Sequence, residues 1–509
     1  MCALRTSAER AGSRCRGSWS AARPTVHCGS RTAVSDGLAR CCSRQTSSPS
    51  MRSSEFSGVI RRSPTTGGRS SGGSAPDSRT LVVPNSRRSP DRRTTDMTVD
   101  NKIHIGDAGT NDVPAKPYRV LVLWCDNTAA NYGLRVLAQG NRRLVEAAFP
   151  DGTVEVDFQD FGPGESSTSF GTKAILRDLF RRNGPIKSKL RQYDLIVDSG
   201  AGDSFADIYG FKRLSFIVYA HAMIRLLRIP LMFGPQTIGP FDTRIGRLAA
   251  RASLKQARLV IARDATSARF GTELGRPVDA LATDVVFALD TELDPHCTSA
   301  DILVNVSGLL WFGDAHGSRE SYRAETLSLV ESLLGANRNV ALIAHVIHSR
   351  SGNDDVDASH AVAEAVRSRT GHAIDVLIPR SLSEARSVLG CAKVVVGSRM
   401  HACLNAISMG TPAVPWAYSR KFEPLMKALG WDLTIDLATE SAPARRTIEH
   451  IDAIEGGYHD ETFREVRSRA DALCLEAEVA FRAGVGECLA PDGQGHAGSA
   501  SVRSGGAQQ

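Results

Sequence analysis

The chain has 509 residues, 42% hydrophobic and 23% charged, a globular composition that excludes a collagen-like or wholly disordered protein. Its most apolar stretch, 214–233, is interrupted by His221 and two arginines, so it falls short of the roughly 18 uncharged residues that span a bilayer. The net charge of +7 comes from residues 1–96, which hold 17 arginines and six acids; the other residues hold 45 basic and 49 acidic groups, so the charge is no evidence for a nucleic-acid partner.

Residues 1–116 are rich in Ser, Arg, Gly, Thr and Pro and lack apolar periodicity, which predicts a disordered segment. Three interpretations stay open: a start codon placed too early, since Met97 opens a more ordinary sequence; a functional tail; or a targeting peptide, with which the Arg- and Ser-rich composition agrees. A fourth, nucleic-acid binding by residues 1–96 alone, predicts salt-dependent retention on DNA. For the folded part we expect no nucleic-acid partner.

The 11 cysteines form no CxxC pair and no zinc-ligand spacing, which is the pattern of free thiols in a reducing compartment. A secretory hydrophobic region is not found either. We therefore expect a cytoplasmic protein, soluble or peripheral at the inner face of the membrane, that holds no metal and no cofactor.

From residue 118 onward the sequence alternates between short apolar runs and helical patterns. Runs typical of buried parallel strands lie at 118–125, 194–197, 229–233 and 258–262, and helices are predicted at 134–149, 213–228 and 244–257. This alternation predicts a Rossmann-like α/β domain over residues 117–292.

The same rhythm restarts after a short polar stretch that contains Pro295. Strands are predicted at 302–306, 340–346, 374–378, 393–396 and 413–416, and helices at 324–334, 359–369, 383–389 and 401–409. These elements predict a second Rossmann-like domain over 300–440, a helical segment over 441–488 and a disordered tail over 489–509. Two such domains facing each other hold ligands between them, outside the carboxyl ends of their strands.

The strongest local signal is Gly397-Ser398-Arg399-Met400-His401, which follows a buried strand. We expect Ser398 to cap a helix that begins near Arg399. Arg399 and His401 then lie at a helix N-terminus, which attracts anions, and the planar arginine fork matches phosphate or carboxylate. Together they predict an anion site with a proton donor. The alternative is that Arg399 pairs structurally with an acid and His401 caps the helix.

Four further positions follow strands and are candidate ligand contacts. Lys421 lies in a polar loop after a short strand, with a solvated surface charge as the alternative. Arg263 follows another strand, with a local salt bridge as the alternative. Gly239 belongs to a rigid Gly/Pro loop, 234–241, and Asn131 lies in a polar loop that lacks the dinucleotide-binding glycine pattern.

His345 and His348, followed by three aspartates in 354–357, resemble a metal-ligand cluster in composition. The two histidines straddle a strand-to-loop junction instead of one helical face. We therefore interpret residues 354–357 as a solvated acidic loop.

Together these motifs resemble the polysaccharide pyruvyl transferase family over most of residues 118–435. The most specific part is 397–402, Gly-Ser-Arg-Met-His-Ala, with the Gly-Thr-Pro strand at 410–412 and Tyr-Ser-x-Lys at 418–421. Further matches are the Gly-Pro loop at 234–241, Arg263-Asp264-x-x-Ser267, Thr283-Asp284-x-x-Phe287, Asn305-Val306-Ser307 and Ala344-His345-Val346. Two loops depart from the family pattern. The family usually has Asn-x-Gly-Asp in the first loop, whereas here Asn131-Tyr132-Gly133 is followed by Leu134. The second loop usually has three consecutive glycines, whereas here it reads Ser199-Gly200-Ala201-Gly202.

The resemblance implies two facing Rossmann-like domains similar to GT-B glycosyltransferases. It implies transfer of pyruvate from phosphoenolpyruvate to hydroxyls of a cell-envelope sugar or lipid-linked glycan precursor, which gives a pyruvate ketal. It assigns donor binding and catalysis to Arg399 and His401. We expect six further residues to bind substrate: Arg263, Ser398, Lys421, Asn131, Gly239 and His345. The alternatives are a nucleotide-sugar glycosyltransferase of the same architecture and a non-catalytic binding or regulatory protein on this scaffold.

Overall fold

The structure is a computed structural model, and it describes residues 116–149, 153–208, 210–297, 299–349 and 352–489. The disorder predicted for the N-terminal segment and for the tail from residue 490 lies outside the described residues. Among the helices that are described, each is too short or too polar to cross a membrane.

The first half of the described chain forms one parallel sheet with helices on its faces. Its elements are β1 (Tyr118–Leu123), α1 (Tyr132–Ala148), β2 (Val154–Gln159), α2 (Thr172–Leu179), α3 (Pro185–Leu190), β3 (Leu195–Asp198), α4 (Phe211–Leu227), β4 (Leu231–Gln236), α5 (Arg244–Gln256), β5 (Leu259–Ala262), α6 (Ala265–Glu273), β6 (Ala280–Leu281) and a 3₁₀ helix (Val285–Ala288). The strand order is β2-β1-β3-β4-β5-β6. The order reverses beside β1, so the loops that follow β1 and β3 border a crevice at the carboxyl edge.

The second half forms another parallel sheet. Its elements are β7 (Ile302–Asn305), α7 (Gly308–Phe312), α8 (Arg319–Gly335), β8 (Val340–Ile343), α9 (Asp355–Thr370), β9 (Asp375–Leu377), α10 (Leu382–Gly390), β10 (Val394–Gly397), α11 (Met400–Met409), β11 (Ala413–Ala417), α12 (Phe422–Leu429), β12 (Ile435–Asp436), α13 (Pro443–Glu455) and α14 (Asp460–Leu489). The order β12-β11-β10-β7-β8-β9 reverses between β7 and β10, as in dinucleotide-binding folds. The predicted pair of parallel-sheet α/β domains is confirmed.

The central strands are buried on both faces, which explains why they are continuous apolar runs. One hydrophobic cluster contains buried residues of both sheets, such as Val197 of β3 and Val304 of β7. The C-terminal helix α14 contributes to this cluster and packs against α12 of the second half and against α1 and β5 of the first. The two halves are therefore joined by packing as well as by the chain itself.

Candidate active site

A cavity of about 290 Å³ lies where residues of both sheets' carboxyl edges come together. The first half contributes the start of α1 and loops after β2, β3 and β5, and the second contributes loops after β8, β10 and β11. Its polar and ionisable lining residues are Asn131, Asp160, Asp203, Ser204, Arg213, Arg263, His345, Arg399, His401, Tyr418 and Lys421.

Six of the eight site residues predicted from the sequence line this cavity, and Ser398 and Gly239 do not. The Ser398 hydroxyl is buried and accepts a hydrogen bond from the Tyr322 hydroxyl at 2.8 Å. The predicted capping role of Ser398 is wrong, because Arg399 occupies the cap position of α11 and no side chain bonds there. Gly239 lines an adjoining cavity of about 250 Å³ that shares Lys421 with the first.

Arg399 is held by a buried carboxylate. Its Nη2 and Nε atoms donate to Oδ1 of Asp355 at 2.7 and 3.1 Å. Asp355 is fully buried and also accepts from the backbone amides of Gly308 and Val346, so its interpretation as part of a solvated acidic loop is wrong. Burial alone would lower the pKa of Arg399, but the Asp355 carboxylate raises it. The predicted structural ion pair thus exists, and Arg399 lines the cavity as well.

Arg263 and His401, from opposite halves, share a second buried carboxylate. Oδ2 of Asp284 accepts from Nη1 of Arg263 at 3.0 Å and lies 3.5 Å from Nε2 of His401. The longer distance is that of an ion pair, and the enclosed Nε2 atom has no hydrogen-bond partner among the described residues. Burial favours the neutral acid, but the charges of His401 and Arg263 outweigh it and lower the pKa of Asp284 to about 2. From the sequence, Asp284 was recognised only as a motif residue, and its position between the two cations was not predicted.

The N-termini of α1 and α11 converge on His401. His401 lies in the first turn of α11. Asn131 caps α1, where its side chain accepts from the Gly133 amide at 2.9 Å. A Cβ atom at residue 133 would lie only 2.6 Å from Nδ1 of His401, so glycine is what allows the two helices to approach. The dipoles of both helices point their positive ends at this space and favour an anion there.

The tautomer of His345 follows from its neighbours. Oδ1 of Asn405 accepts from Arg386 at 2.8 Å and its Nδ2 donates to the His401 carbonyl at 2.7 Å, which fixes the amide orientation. Nδ2 of Asn405 therefore donates to Nε2 of His345 at 3.1 Å, and the His345 proton resides on Nδ1. Burial, followed by the charges of His401 and Arg399, holds the pKa of His345 well below its usual value. Nδ1 is a buried N–H without a partner among the described residues.

The remaining cations line the side of the cavity that β2 and β3 border. Nζ of Lys421 lies 3.5 Å from Oδ2 of Asp203, across the two halves of the chain, so Lys421 is more than a solvated surface charge. Nη1 of Arg213 donates to the Ser204 hydroxyl at 3.2 Å, and its guanidinium lies 5.3 Å from the centre of the Phe161 ring. Across the described ranges, His, Cys, Asp and Glu side chains form no group of three or more that could hold a metal ion. The arrangement can bind a small anion and transfer a proton to it.

Comparisons with known proteins agree with these observations. A family model described as polysaccharide pyruvyl transferase matches residues 131–420. The amylovoran biosynthesis protein AmsJ of Erwinia amylovora is 22% identical over 259 residues, which is 48% of this chain and 61% of AmsJ, so less than two thirds of that relative is spanned.

Two solved structures cover most of the described chain at low identity. The UDP-GlcNAc 2-epimerase of Neisseria meningitidis, bound to UDP-GlcNAc, is 9% identical, with a TM-score of 0.45 over 72% of this chain and 100% of its own. Alr3699/HepE of Anabaena, in complex with UDP-glucose, is 12% identical, with a TM-score of 0.40 over 73% of this chain and 99% of its own. It is the family model, which spans more than half of the sequence, that identifies the protein. The chain belongs to the polysaccharide pyruvyl transferase family, which is a family of transferases.

Proposed function

We propose that this chain transfers pyruvate from phosphoenolpyruvate to two hydroxyls of a cell-envelope sugar or glycan precursor, forming a pyruvate ketal. The observation that carries the proposal is the convergence of Arg399, Lys421, Arg263 and His401 on one cavity of about 290 Å³. Phosphoenolpyruvate carries a phosphate and a carboxylate on a three-carbon skeleton. It therefore requires several cationic groups around a small volume, together with a proton donor.

Donor binding uses groups that are already rigid. Nε and Nη2 of Arg399 are held by Asp355 and by the Asn353 carbonyl, and Nη1 has no such partner among the described residues. The amides at the N-termini of α1 and α11 add positive potential to the same space. The partnerless N–H of His345 supplies one further donor for an oxygen of the substrate. Little reorganisation is needed when the anion arrives, which favours binding and orientation.

His401 is the proton donor in this proposal. It protonates the methylene carbon of phosphoenolpyruvate, which leaves an oxocarbenium-like centre at the adjacent carbon. One acceptor hydroxyl attacks that carbon, phosphate leaves, and the second hydroxyl closes the ketal. Asp284 touches no reacting atom; its negative charge, 3.5 Å from Nε2, positions the imidazole.

For the acceptor we propose only a class of molecule. The family's name and the naming of AmsJ as an amylovoran biosynthesis protein support a polysaccharide precursor. We place the reaction in the cytoplasm, where phosphoenolpyruvate is made, with peripheral membrane association if the precursor is lipid-linked.

The test is incubation with phosphoenolpyruvate and a panel of glycan acceptors, following phosphate release and the mass gain of the acceptor. His401→Ala should reduce turnover on the order of 10²–10⁴-fold, because it removes a general acid. His372→Ala, at an exposed position, is the matched control and should leave turnover unchanged. Near-normal transfer by a folded His401→Ala protein would remove His401 from the mechanism. Transfer from a nucleotide-sugar in place of phosphoenolpyruvate would overturn the proposed function itself.

A further inference from the structure

The proposed reaction needs a proton acceptor as well as a donor, because each acceptor hydroxyl loses its proton when it bonds to carbon. Tyr418 and Lys421 carry their protons at neutral pH, which leaves four lining side chains that can accept one: His401, His345, Asp203 and Asp160. His401 acts on the donor, and His345 already carries its proton on Nδ1 while Nε2 accepts from an amide. Asp203 faces Lys421 in an ion pair at 3.5 Å. Asp160 is therefore the remaining candidate for the proton acceptor.

Asp160 immediately follows β2 and lines the same cavity as His401. Within the described ranges its carboxylate makes no ion pair and no side-chain hydrogen bond. Burial raises the pKa of Asp160 above its usual value; the Phe161 amide and Arg213 oppose this, and Asp126 adds to it. A carboxylate with raised proton affinity and no ion-pair partner among the described residues is suited to take a proton from a hydroxyl.

The loop that carries Asp160 is fixed in place before substrate binds. Nε2 of buried Gln159 lies within 3.0 Å of three carbonyl oxygens of the loop, those of Asp160, Gly162 and Thr168. The Phe161 ring stacks on Trp124 at 4.4 Å between centroids.

Trp124 is itself anchored from behind. It holds a left-handed φ of 67°, an unfavourable conformation for a bulky residue, and its Nε1 donates to buried Asp198 at 2.6 Å. A side chain on so constrained a loop keeps its direction toward the cavity, as catalytic geometry requires.

We propose that Asp160 is the base that deprotonates the acceptor hydroxyls, an assignment that rests on the proposed function. As the first O–H bond breaks, its proton moves to a carboxylate oxygen of Asp160 and the hydroxyl oxygen bonds to the central carbon of the donor. The carbon–oxygen bond to phosphate then breaks, and its electron pair leaves with phosphate. Asp160 passes the first proton to the departing phosphate, so that its carboxylate can take the proton of the second hydroxyl as that hydroxyl bonds to the same carbon. Of the two protons released, one restores His401 and the other leaves on phosphate.

The experiment first establishes pyruvate transfer by the unaltered protein, which tests the proposed function separately. Asp160→Asn should then lower turnover on the order of 10²–10⁴-fold while phosphoenolpyruvate binding and the melting temperature stay unchanged. Glu165→Gln, an exposed carboxyl of the same loop, is the matched control and should transfer normally. Asp160→Ala should regain part of its activity when formate is added, because a small carboxylate can occupy the vacated space and accept the proton.

Normal turnover of a folded Asp160→Asn protein would overturn the assignment. The assignment would also be overturned if Asp160→Ala lost turnover and added formate failed to restore it, because Asp160 would then only maintain the conformation of the loop. Restoration of turnover by formate, with unchanged affinity for phosphoenolpyruvate, would establish Asp160 as the base.

Discussion

Two of the three arginines that line the cavity, Arg399 and Arg263, each pair with a buried carboxylate that is distant in the sequence. Arg399 pairs with Asp355, 44 residues earlier, and Arg263 pairs with Asp284, 21 residues later. The cations were found from the sequence because they directly follow predicted strands. Their partners were not, because a buried carboxylate and a solvated one look the same in a polar stretch. The pairing fixes the guanidinium groups and compensates their burial, since an unpaired buried charge is strongly destabilising.

The pKa of Asp284 makes the free energy of unfolding depend on pH. Its pKa is lowered from 3.8 to about 2 in the folded protein, so the charged form stabilises the fold. This contribution, about 2 kcal/mol, is complete above the unfolded pKa and is lost as the pH falls from about 4 toward 2. The gap in free energy of unfolding between the unaltered protein and Asp284→Asn should therefore narrow as the pH falls below about 4.

Urea denaturation at stepped pH measures this gap. Asp375→Asn, which replaces an exposed carboxyl at the start of β9, serves as the control and should show a small gap at every pH. A gap for Asp284→Asn that widens as the pH falls below about 4 would contradict the depressed pKa of this carboxyl.

At the scale of the elements, the site depends on two helix N-termini meeting end to end. The helical pattern of the sequence predicts α1 from Leu134, and the structure starts it at Tyr132, because Asn131 supplies the cap. That shift matters, since it places Gly133 within the first turn and against His401. The contact joins an element of the first domain to one of the second, so no local pattern encodes it.

Gly133→Ala should separate activity from stability. The added methyl group would meet Nδ1 of His401 at 2.6 Å and its Cγ at 3.1 Å, so the imidazole must move. A displacement of about 1 Å is expected to cost on the order of 10²-fold in turnover. Stability should change by no more than about 1 kcal/mol, because the restriction of the unfolded chain by alanine offsets part of the cost of displacing the imidazole.

Gly335→Ala provides the comparison, since a Cβ at this last residue of α8 meets nothing within 4 Å. It should change stability in the same way without affecting turnover. Unchanged transfer by Gly133→Ala would show that the position of His401 in the first turn of α11 is not critical.

The strands whose burial is uniform were located from the sequence, whereas the partly buried edge strand β2 was missed. The central strands are apolar on both faces, so β3, β5, β7 and β10 were all located within a residue or two. The edge strand β2, Val-Glu-Val-Asp-Phe-Gln, is only partly buried and was missed. Asp160 follows that strand, so no predicted strand end pointed to it. The part of the cavity that Arg399 and His401 line was thus accessible to sequence reasoning, and the part that Asp160 lines was not.

For the whole molecule, the continuous core implies that the two sheets unfold together. The long helix α14 is part of the reason. Near its start, the Phe463 ring packs against Trp431 of the second domain at 5.3 Å between centroids. Near its end, Gly484 lies against Met232 and Leu259 of the first sheet. A helix that packs on both domains couples their stabilities, because neither keeps its buried surface when the helix leaves.

Phe481→Ala tests this coupling. Phe481 is fully buried in α14 and belongs to the core cluster that contains both sheets, so its truncation should cost about 3–5 kcal/mol. We expect one cooperative urea transition that shifts as a whole, with far-UV circular dichroism and tryptophan fluorescence coinciding. Leu475→Ala, on the exposed side of the same helix, should change the midpoint little. If instead Phe481→Ala splits the curve into two transitions, the domains are separate folding units, and the closeness of Arg263 to His401 depends on domain docking and not on a shared core.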